Sequence, residues 1–390
     1  MPKRFRNFIL LILIGVASLA FGDAIDPVSV YLTLEGNPST SITIRWVTDK
    51  NQESDKVEFR QGGYPHWQSV EGSHIPMPDG HPYNIHHTQL NGLKPNTDYL
   101  FRLDAEGPVY KFRTLPNKLH EPIRFVVGGD MLHDETKYFA EMNVTAAATD
   151  PMFAVLGGDI AYSAPKLNLF KEDVSRWINW LQIWFKTMVT KDGRLIPIVI
   201  TIGNHEVIGR YDQPPERAKF FYSLFKWPTQ GGYQVIDFDH YMSIWVLDSG
   251  HTHPIDGKQK EWLETTLNQR NELPHKFAVY HVPAYPSVRK VKGSISKQIR
   301  ELWIPIFEDH GINTAFEHHD HAYKRTHPIY KGQIDSNKGV LYLGDGAWGV
   351  KKPRTPKSPN DRWYLAKTKS TRHFILVTLY GLKRHYKAID

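Results

Sequence analysis

Cysteine is absent from this chain of 390 residues. Its absence excludes disulfide bonds and thiolate metal sites, so a bound metal ion would need His, Asp, Glu, Asn or Tyr as ligands. A chain without thiols can fold in an oxidising compartment, although this absence does not identify the compartment. Twenty histidines are present, and their grouping along the chain becomes the guide to any metal site.

No stretch of the chain interleaves Lys and Arg with aromatic residues in the manner of a nucleic-acid surface. The formal net charge is +7, and it falls to +4 when Lys3, Arg4 and Arg6 are removed with a leader peptide. This mild positive balance suits a small anionic substrate, although many solvated surfaces carry the same charge. We therefore expect no nucleic-acid partner.

Long hydrophobic runs are missing beyond the N-terminus. Residues 1–22 have a basic start and an apolar stretch at 8–20, which is too short for a confident membrane span. Small residues at positions 18, 20 and 22 form two cleavage sites, so we predict a secretory signal peptide over residues 1–22. The alternative is an uncleaved N-terminal anchor. The mature chain is expected to be secreted or periplasmic and to lack a membrane span.

The length allows two domains, and the pattern changes near residue 115. Residues 27–115 look all-β, because apolar and polar residues alternate at 28–34 and 41–47. Further strands are predicted at 56–60, 85–90, 99–103 and 109–114. Leu93 to Tyr99 has the spacing of a tyrosine corner, and with Trp46 on an early strand the region resembles a fibronectin type III sandwich. The proline-containing segment 115–122 is the predicted linker.

The segment from residue 123 to residue 390 has an α/β pattern, in which short apolar runs alternate with amphipathic stretches. Strands are predicted at 123–127, 152–156, 195–202, 243–247, 276–280, 312–316, 340–343 and 374–379. Helices are predicted at 134–148, 168–190, 215–226, 257–270 and 295–310. In the second helix Trp177, Leu181 and Trp184 share one face, which predicts a core stripe rather than a ligand site.

Residues able to bind a metal follow many of these strands. They lie in Gly128-Gly-Asp130, Gly157-Gly-Asp159 with Tyr162 beyond, Gly203-Asn-His-Glu206, Tyr280-His281 and Phe316-Glu-His-His-Asp-His321. An Asp after two glycines is also an ordinary turn residue, so Asp159 alone would decide little. Ligands of α/β sheets bind beyond the carboxyl ends of the strands. Five such ends in one domain therefore predict a shared site, and the glycine pair before Asp159 is expected to leave room for metal ions.

The residue types at these strand ends suit two metal ions about 3.5–4 Å apart, which can clamp the attacking and leaving oxygens of a phosphate displacement. Such a pair needs a carboxylate to bridge the two cations. Neutral imidazoles keep the total negative charge low, so that an anionic substrate can enter. The inventory is two Asp, one Asn, three His and one Tyr, and a tyrosinate ligand favours a hard trivalent iron.

With these motifs the sequence resembles the purple acid phosphatases of the calcineurin-like metallophosphoesterase superfamily. The family pattern is Asp-x-Gly, Gly-Asp-x-x-Tyr, Gly-Asn-His-Asp/Glu, Val-x-x-His and Gly-His-x-His. This chain has Asp130-Met-Leu, Gly158-Asp-Ile-Ala-Tyr162, Gly203-Asn-His-Glu206, Ala278-Val-Tyr-His281 and His318-His-Asp-His321. The resemblance implies a four-layer α/β/β/α sandwich over residues 123–390, preceded by the small all-β sandwich.

The resemblance also implies a role for each matching residue. A ferric ion would be held by Asp130, Asp159, Tyr162 and His321, and a divalent ion (Zn, Fe or Mn) by Asp159, Asn204, His281 and His319. Asp159 and a hydroxide would bridge the two ions, and this hydroxide would attack phosphorus. Asn204 and His205 would bind the substrate phosphate, with His205 contacting it or protonating the leaving alkoxide. Glu206 is a candidate partner that orients His205.

Departures from the family pattern concern the substrate pocket. Leu132 and His318 stand where the family has glycine, so the turn before His319 must accept a side chain. Plant relatives have phosphate-binding histidines after the Val-x-x-His element, where this chain has Arg289 and Lys290. These two residues either supply positive charge to the substrate or are surface residues. The histidines at 81, 86, 87, 251 and 253 are expected to face solvent or to make local hydrogen bonds.

Three functions are compatible with the sequence. The leading one is a secreted dinuclear phosphatase that hydrolyses small phosphate monoesters. The same centre could also hydrolyse diesters, nucleotides or pyrophosphates. Enzymes for these substrates differ in the residues that line the pocket and not in their metal ligands. The non-enzymatic alternative is an exported binding or adhesion module with structural metals. The physiological substrate and the oligomeric state stay open.

Overall fold

The structure, a computed structural model, describes residues 25–164, 171–225, 232–344 and 346–390. The predicted signal peptide at 1–22 lies outside these residues, and so does the start of the helix predicted at 168–190. Within the described ranges, no helix is both long and apolar enough to cross a membrane.

The N-terminal region is all-β, as predicted. Its strands are β1 (Ser29–Thr33), β2 (Ile42–Asp49), β3 (Lys56–Gln61), β4 (Gln68–Glu71), β5 (Ser73–Pro76), β6 (Tyr83–Leu90), β7 (Asp98–Arg102) and β8 (Tyr110–Arg113), with a 3-10 turn at Pro78–Gly80. One sheet contains β1, β2, β6 and β5, and the other has the order β4-β3-β7-β8. Strands β4 and β5 were not predicted, because most of their residues are exposed and they lack an apolar alternation.

Two predicted features of this region are present. Trp46 is fully buried, and its indole stacks on the ring of His86. The hydroxyl of Tyr99 accepts a hydrogen bond of 2.8 Å from the backbone N–H of Lys94, which is the bond that a tyrosine corner makes to the preceding turn.

The C-terminal region contains fourteen further strands in the part of the chain that the structure describes. They are β9 (Ile123–Gly128), β10 (Phe153–Gly157), β11 (Ile198–Thr201), β12 (Gln234–Phe238), β13 (Met242–Val246), β14 (His275–Val279), β15 (Thr314–Glu317), β16 (Tyr323–Thr326), β17 (Ile329–Tyr330), β18 (Gln333–Ile334), β19 (Leu341–Gly344), β20 (Leu365–Lys369), β21 (Phe374–Tyr380) and β22 (Lys383–Ile389). All eight predicted strands are confirmed within a few residues. Four longer strands were missed, namely β12, β16, β20 and β22.

The helices are α1 (Thr136–Ala147), α2 (Val174–Thr187), α3 (Lys219–Leu224), α4 (Lys258–Asn268), α5 (Ser294–Leu302) and α6 (Ile304–Asp309), with a 3-10 turn at Pro215–Ala218 before α3. The single helix predicted at 295–310 is therefore wrong, since two helices meet at Trp303. Pro305 lies in the first turn of α6, where its missing N–H is tolerated, but it would break a continuous helix. The buried stripe on α2 is confirmed.

Two sheets form the centre of the C-terminal region. The first has the order β22-β21-β9-β10-β11-β1-β2-β6-β5, and the second has the order β12-β13-β14-β15-β19-β16-β20. Phenylalanines of the two sheets meet, with the rings of Phe125 and Phe277 5.8 Å apart. Helices α1 and α2 cover the outer face of the first sheet, and α4, α5 and α6 cover the second. This is the four-layer α/β/β/α arrangement that was expected.

The first sheet runs without interruption from the C-terminal region into the N-terminal one. Strand β1 pairs in parallel with β11, with Thr33 opposite Ile198. The N-terminal all-β region therefore extends the same sheet whose strands β9, β10 and β11 end at the predicted site.

Candidate metal centre

The carboxyl ends of β9, β10 and β11 in one sheet, and of β14 and β15 in the other, lie together at one edge of the sandwich. Parallel pairing keeps these ends in register, since Leu156 of β10 lies opposite Gly128 of β9 and Ile200 of β11. The loops that follow bring together the predicted residues Asp130, Asp159, Tyr162, Asn204, His205, Glu206, His281, His319 and His321.

One group of possible ligands gathers around Asp130. The ligand atoms of Asp130, Asp159 and His321 all lie within 4.8 Å of one another. The Asp130 carboxylate oxygen Oδ1 is 2.7 Å from Nε2 of His321. The Tyr162 hydroxyl lies 3.2 Å from each of these two atoms. All four side chains are buried.

A second group gathers around His281. The ligand atoms of Asp159, His281 and His319 also lie within 4.8 Å of one another. Nε2 of His281 is 3.2 Å from Oδ2 of Asp159 and 3.0 Å from Nδ1 of His319. The other ring nitrogen of His281 lies 2.9 Å from the carbonyl of Gly157, which fixes the ring and leaves Nε2 turned inward. Asn204 is buried beside this group, and its side-chain oxygen accepts a hydrogen bond from Tyr211.

Asp159 belongs to both groups, as a bridging ligand must. Its Oδ1 accepts a hydrogen bond of 2.7 Å from the backbone N–H of His205, whereas its buried Oδ2 has no hydrogen-bond partner among the described residues. Burial alone raises the pKa of Asp159, but the nearby His281 and His205 together lower it well below its usual value. An ionised, buried carboxylate that lies between His321 on one side and His281 and His319 on the other fits the bridge between two cations.

The negative charge of Asp159 also favours a cation next to His281. Burial lowers the pKa of His281, but the adjacent Asp159 carboxylate more than reverses this effect and raises the pKa to about 9. The pKa of Tyr162 is raised well above its usual value by burial and then by Asp130 and Asp159. A phenolate at this position therefore needs a strongly Lewis-acidic partner such as a trivalent ion.

Most of the candidate ligands adopt a backbone conformation that side chains rarely take. The φ angles of Asp130, Asp159, Tyr162, His319 and His321 are 57°, 52°, 55°, 75° and 60°. Such left-handed residues cluster at functional sites, where the surrounding structure holds them. Here the backbone N–H of His319 donates to Oδ2 of Asp130, and that of Asp130 donates to the carbonyl of Gly158.

Glu206 supports the loop of Asp159 rather than the ring of His205, which corrects the expected role. Its buried carboxylate accepts hydrogen bonds from the backbone N–H groups of Asp159, Ile160, Ala161 and Gly203, at 2.8–3.3 Å. Burial and the nearby Asp159 raise the pKa of Glu206 to about 8, in spite of these donors. Glu206 thus fixes the turn from which the carboxylate of Asp159 projects.

The glycine pair before Asp159 leaves room for neighbouring parts of the chain. A Cβ atom at Gly157 would lie 1.8 Å from the imidazole of His318, so this glycine makes room for His318. At Gly158, which has a φ of +83°, a Cβ would lie 2.8 Å from Gly203. His318 is fully enclosed, and neither ring nitrogen has a hydrogen-bond partner among the described residues. Burial lowers its pKa to about 3, so the ring is neutral.

His205 faces the centre. Its ring lies 4.4 Å from that of Tyr162, and burial lowers its pKa to about 4. The unliganded imidazole is therefore neutral near pH 7, and it can take up a proton when a negative charge arrives next to it.

Four residues near the centre were not predicted or were left undecided. Arg289 donates to Asp320 and to the carbonyl of His319, so it is tied to the ligand loop, whereas Lys290 is exposed. The ring of His133 lies 5.0 Å from those of both Tyr162 and His321. His133 could have been found from the sequence, because it follows the candidate ligand Asp130 by only three residues. Tyr211 follows Asn204 by seven residues, a spacing that carries no pattern.

The comparison with known proteins agrees with this geometry. Residues 27–114 match the family model of the purple acid phosphatase N-terminal domain, and residues 119–323 match that of the calcineurin-like phosphoesterases. The chain is 25% identical over 372 residues to purple acid phosphatase 18 of Arabidopsis thaliana, covering 89% of this chain and 77% of that protein. It is 24% identical over 432 residues to the human acid phosphatase type 7, covering 100% and 94%.

A solved structure has the same fold. The purple acid phosphatase PPD1 from yellow lupin (Lupinus luteus) seeds superimposes with a TM-score of 0.74 at 18% sequence identity, over 93% of this chain and 72% of that one.

Proposed function

Since this chain belongs to the calcineurin-like phosphoesterase family and is homologous to the purple acid phosphatases, we propose that it is an exported phosphatase that hydrolyses phosphate monoesters at a dinuclear metal centre. Membership of a family of phosphoester hydrolases sets aside the alternative of a non-catalytic binding module. The observation that carries the proposal is that two groups of buried ligand atoms share Asp159.

The residues divide naturally between two cations. Asp130, Tyr162 and His321 would hold a ferric ion. Asn204, His281 and His319 would hold a divalent ion (Zn, Fe or Mn), and Asp159 would be shared by both sets. When bound, the two ions would neutralise the phosphate charge and lower the pKa of the attacking water.

The chain's own side chains would orient the substrate and deliver a proton. Asn204 and the imidazole of His205 would bind phosphate oxygens. The phosphate would raise the pKa of His205 from about 4, so that the ring becomes protonated as the substrate binds. An imidazole nitrogen of His205 would then protonate the leaving alkoxide as its bond to phosphorus breaks, so that the products are an alcohol and inorganic phosphate.

Hydrolysis of an aryl phosphate tests the proposal. Asp159→Asn and His281→Ala are expected to lower kcat/KM by about 10³-fold or more, because each disrupts the binding of the metals that stabilise the transition state. Asp256→Asn and His240→Ala, both at exposed positions, are matched controls that should keep full activity. Wild-type turnover by Asp159→Asn, with metal content measured on the same sample, would overturn the assignment.

The position of Arg354 favours one alternative class of substrate, namely compounds that carry a second phosphate. Arg354 is half-buried beside the centre, where burial and then the charge of Arg289 lower its pKa while Asp130 acts in the opposite direction. Its guanidinium has no hydrogen-bond partner in the described part of the chain, so it is available to an anion. If a nucleoside diphosphate is the better substrate, Arg354→Ala should raise the KM for that substrate and leave the KM for an aryl phosphate unchanged.

Export is the remaining part of the proposal. It rests on the basic and apolar pattern of residues 1–22. Mass spectrometry of protein recovered from the culture medium or periplasm should give a mature N-terminus at Phe21 or Asp23. An intact N-terminus that stays with the membrane fraction would instead indicate an anchor.

A further inference from the structure

A second cluster of ligand-type side chains lies in the N-terminal domain, outside the dinuclear centre. It consists of Asp55, just before β3, His74 on β5 and His86 on β6. One ligand atom of each residue lies within 4.8 Å of those of the other two. Nδ1 of His74 is 2.8 Å from one carboxylate oxygen of Asp55, and Nδ1 of His86 is 2.7 Å from the other.

The contacts of His86 hold its ring in place. Its Nε2 lies 2.8 Å from the hydroxyl of Thr48, and that hydroxyl also lies 3.0 Å from the carbonyl of Asp49. When the Thr48 proton goes to the carbonyl of Asp49, the Thr48 oxygen accepts from Nε2 of His86, and the lone pair of Nδ1 then points at the carboxylate of Asp55. Two acceptors 2.7 Å apart repel each other unless a proton or a metal cation lies between them.

The same features mark the dinuclear centre. There, Nε2 of His321 also lies 2.7 Å from a carboxylate oxygen, that of Asp130. The carbonyl of Gly157 contacts Nδ1 of His281, the ring nitrogen that faces away from the centre, just as Thr48 contacts Nε2 of His86. A hydrogen-bonded outer nitrogen is what orients a metal-binding imidazole. In both places an imidazole with one nitrogen fixed presents the other to a carboxylate.

The ligand types of the cluster suit Zn²⁺. Two imidazoles and a carboxylate are a common ligand set for Zn²⁺, with a fourth position left for water. The His74 side chain is 28% exposed and that of Asp55 is 18% exposed, so an ion can enter from solvent, while His86 is fully enclosed. We propose that Asp55, His74 and His86 form a structural zinc site in the N-terminal domain.

The position of this site gives it a mechanical role. His74 and His86 lie opposite each other on β5 and β6, which belong to the nine-stranded sheet. Asp55 directly precedes β3, which belongs to the four-stranded sheet. A zinc ion would therefore link the two sheets of the sandwich. Disulfide bonds often make such links in exported domains, but this chain has no cysteine and cannot form one.

Metal counting on the full chain tests the proposal. After removal of metals by a chelator and dialysis against Zn²⁺, zinc is counted in the wild type, His74→Ala, Asp55→Asn and His66→Ala. The wild type should hold one zinc equivalent more than His74→Ala and Asp55→Asn, while both variants keep phosphatase activity. His66→Ala, an exposed histidine of the same domain, should equal the wild type.

A second readout does not depend on activity. Zn²⁺ binding to the site should raise the thermal unfolding midpoint of the wild type by about 3 °C or more above the rise that His74→Ala shows. Equal zinc content and equal shifts in the wild type, His74→Ala and Asp55→Asn would overturn the proposal and leave a proton between His86 and Asp55. A loss of zinc in His66→Ala equal to that in His74→Ala would also overturn it, because the additional zinc would then be surface-bound.

Discussion

At the scale of single residues, Tyr162 is the side chain whose chemistry depends most on a metal. Its hydroxyl lies between Asp130 and His321 in a buried site that raises its pKa. Without a cation the phenol keeps its proton, and a ferric ion would replace that proton and create a charge-transfer band in the visible range. The colour of the purified protein is therefore a direct report on this contact.

We expect Tyr162→Phe to lose the visible band while it still binds iron through Asp130, Asp159 and His321. An absorption spectrum recorded together with iron analysis checks this. Tyr211→Phe is the matched control and should keep the band. The hydroxyl of Tyr211 contacts Asn204 rather than Asp130 or His321. An iron-loaded wild type without any visible band would contradict the assignment of Tyr162.

Most of the candidate ligands could be identified from the sequence, because each follows a strand in a short recognisable motif. The motifs could not reveal how Glu206 is used. Its neighbour His205 suggested a local contact, but its carboxylate instead binds N–H groups of residues 159–161, more than forty positions earlier in the chain. That contact depends on how β10 and β11 lie side by side.

At the scale of elements, the end of β10 is fitted to the loop after β15. His318 fills the space that Gly157 leaves, and the same loop carries His319 and His321. The fit between one strand end and one loop thus aligns ligands from both sheets.

Gly157→Ala is expected to destabilise the protein by about 1–3 kcal/mol and to lower phosphatase activity at least 10-fold, because the added methyl group would displace the ring of His318. In the double variant with His318→Ala the obstruction is gone, and stability should recover relative to Gly157→Ala alone. Denaturant unfolding of the two single variants and the double variant gives the coupling energy. Additive losses would show that Gly157 and His318 do not share this space.

A buried acid, Glu172, lies two residues before α2 begins. Burial raises the pKa of Glu172 to about 7, although the Ser163 hydroxyl donates to it. Because the folded state holds this proton more tightly than the unfolded chain, ionisation removes stability as the pH rises from about 4.5 to above 7.

Glu172→Gln should therefore leave stability unchanged below pH 4.5 and increase it above pH 7, by about 1–3 kcal/mol. Denaturant unfolding at pH 4.3 and pH 8 measures the difference. Glu216→Gln, at an exposed position, should show no such dependence on pH. A variant that is less stable than the wild type at pH 8 would contradict the effect of burial.

Strand β22 shows why some elements escaped prediction. Its sequence, Lys-Arg-His-Tyr-Lys-Ala-Ile, is mostly charged or polar, which is the composition of an edge strand that resists pairing with other molecules. The apolar residues of β1 and β2 made these strands recognisable because both strands are buried in the core, whereas β22 is positioned mainly by its pairing with β21.

At the scale of the whole molecule, the nine-stranded sheet joins the two proposed domains, 27–115 and 123–390. Besides the pairing of β1 with β11, the hydroxyl of Tyr31 donates to the carbonyl of Leu224, and that of Ser29 donates to the carbonyl of Leu181. A change of pattern at residue 115 indicated two domains, but no local pattern can indicate that their strands pair across the boundary.

A chain that begins at residue 123 is expected to aggregate or to unfold at a markedly lower temperature, because the edge of β11 and the apolar surface of α2 become exposed. Solubility and calorimetry of this truncated chain test the expectation. In the matched control, a protease site placed at 117–121 is cut in the folded protein, and the two pieces should stay together on gel filtration. A truncated chain as soluble and active as the full one would contradict the role of the shared sheet.

The continuity of this sheet also provides a remote reporter of the metal centre. The amide of Leu34 donates to the carbonyl of Ile198 at 3.3 Å, so its proton exchanges with solvent only when β1 and β11 separate. Strand β11 leads directly to Asn204, and ligands that anchor Asn204 should hold β11 more firmly. Hydrogen exchange at Leu34 would then slow when metal or phosphate binds, so a single amide in the other domain would read out occupancy of the centre.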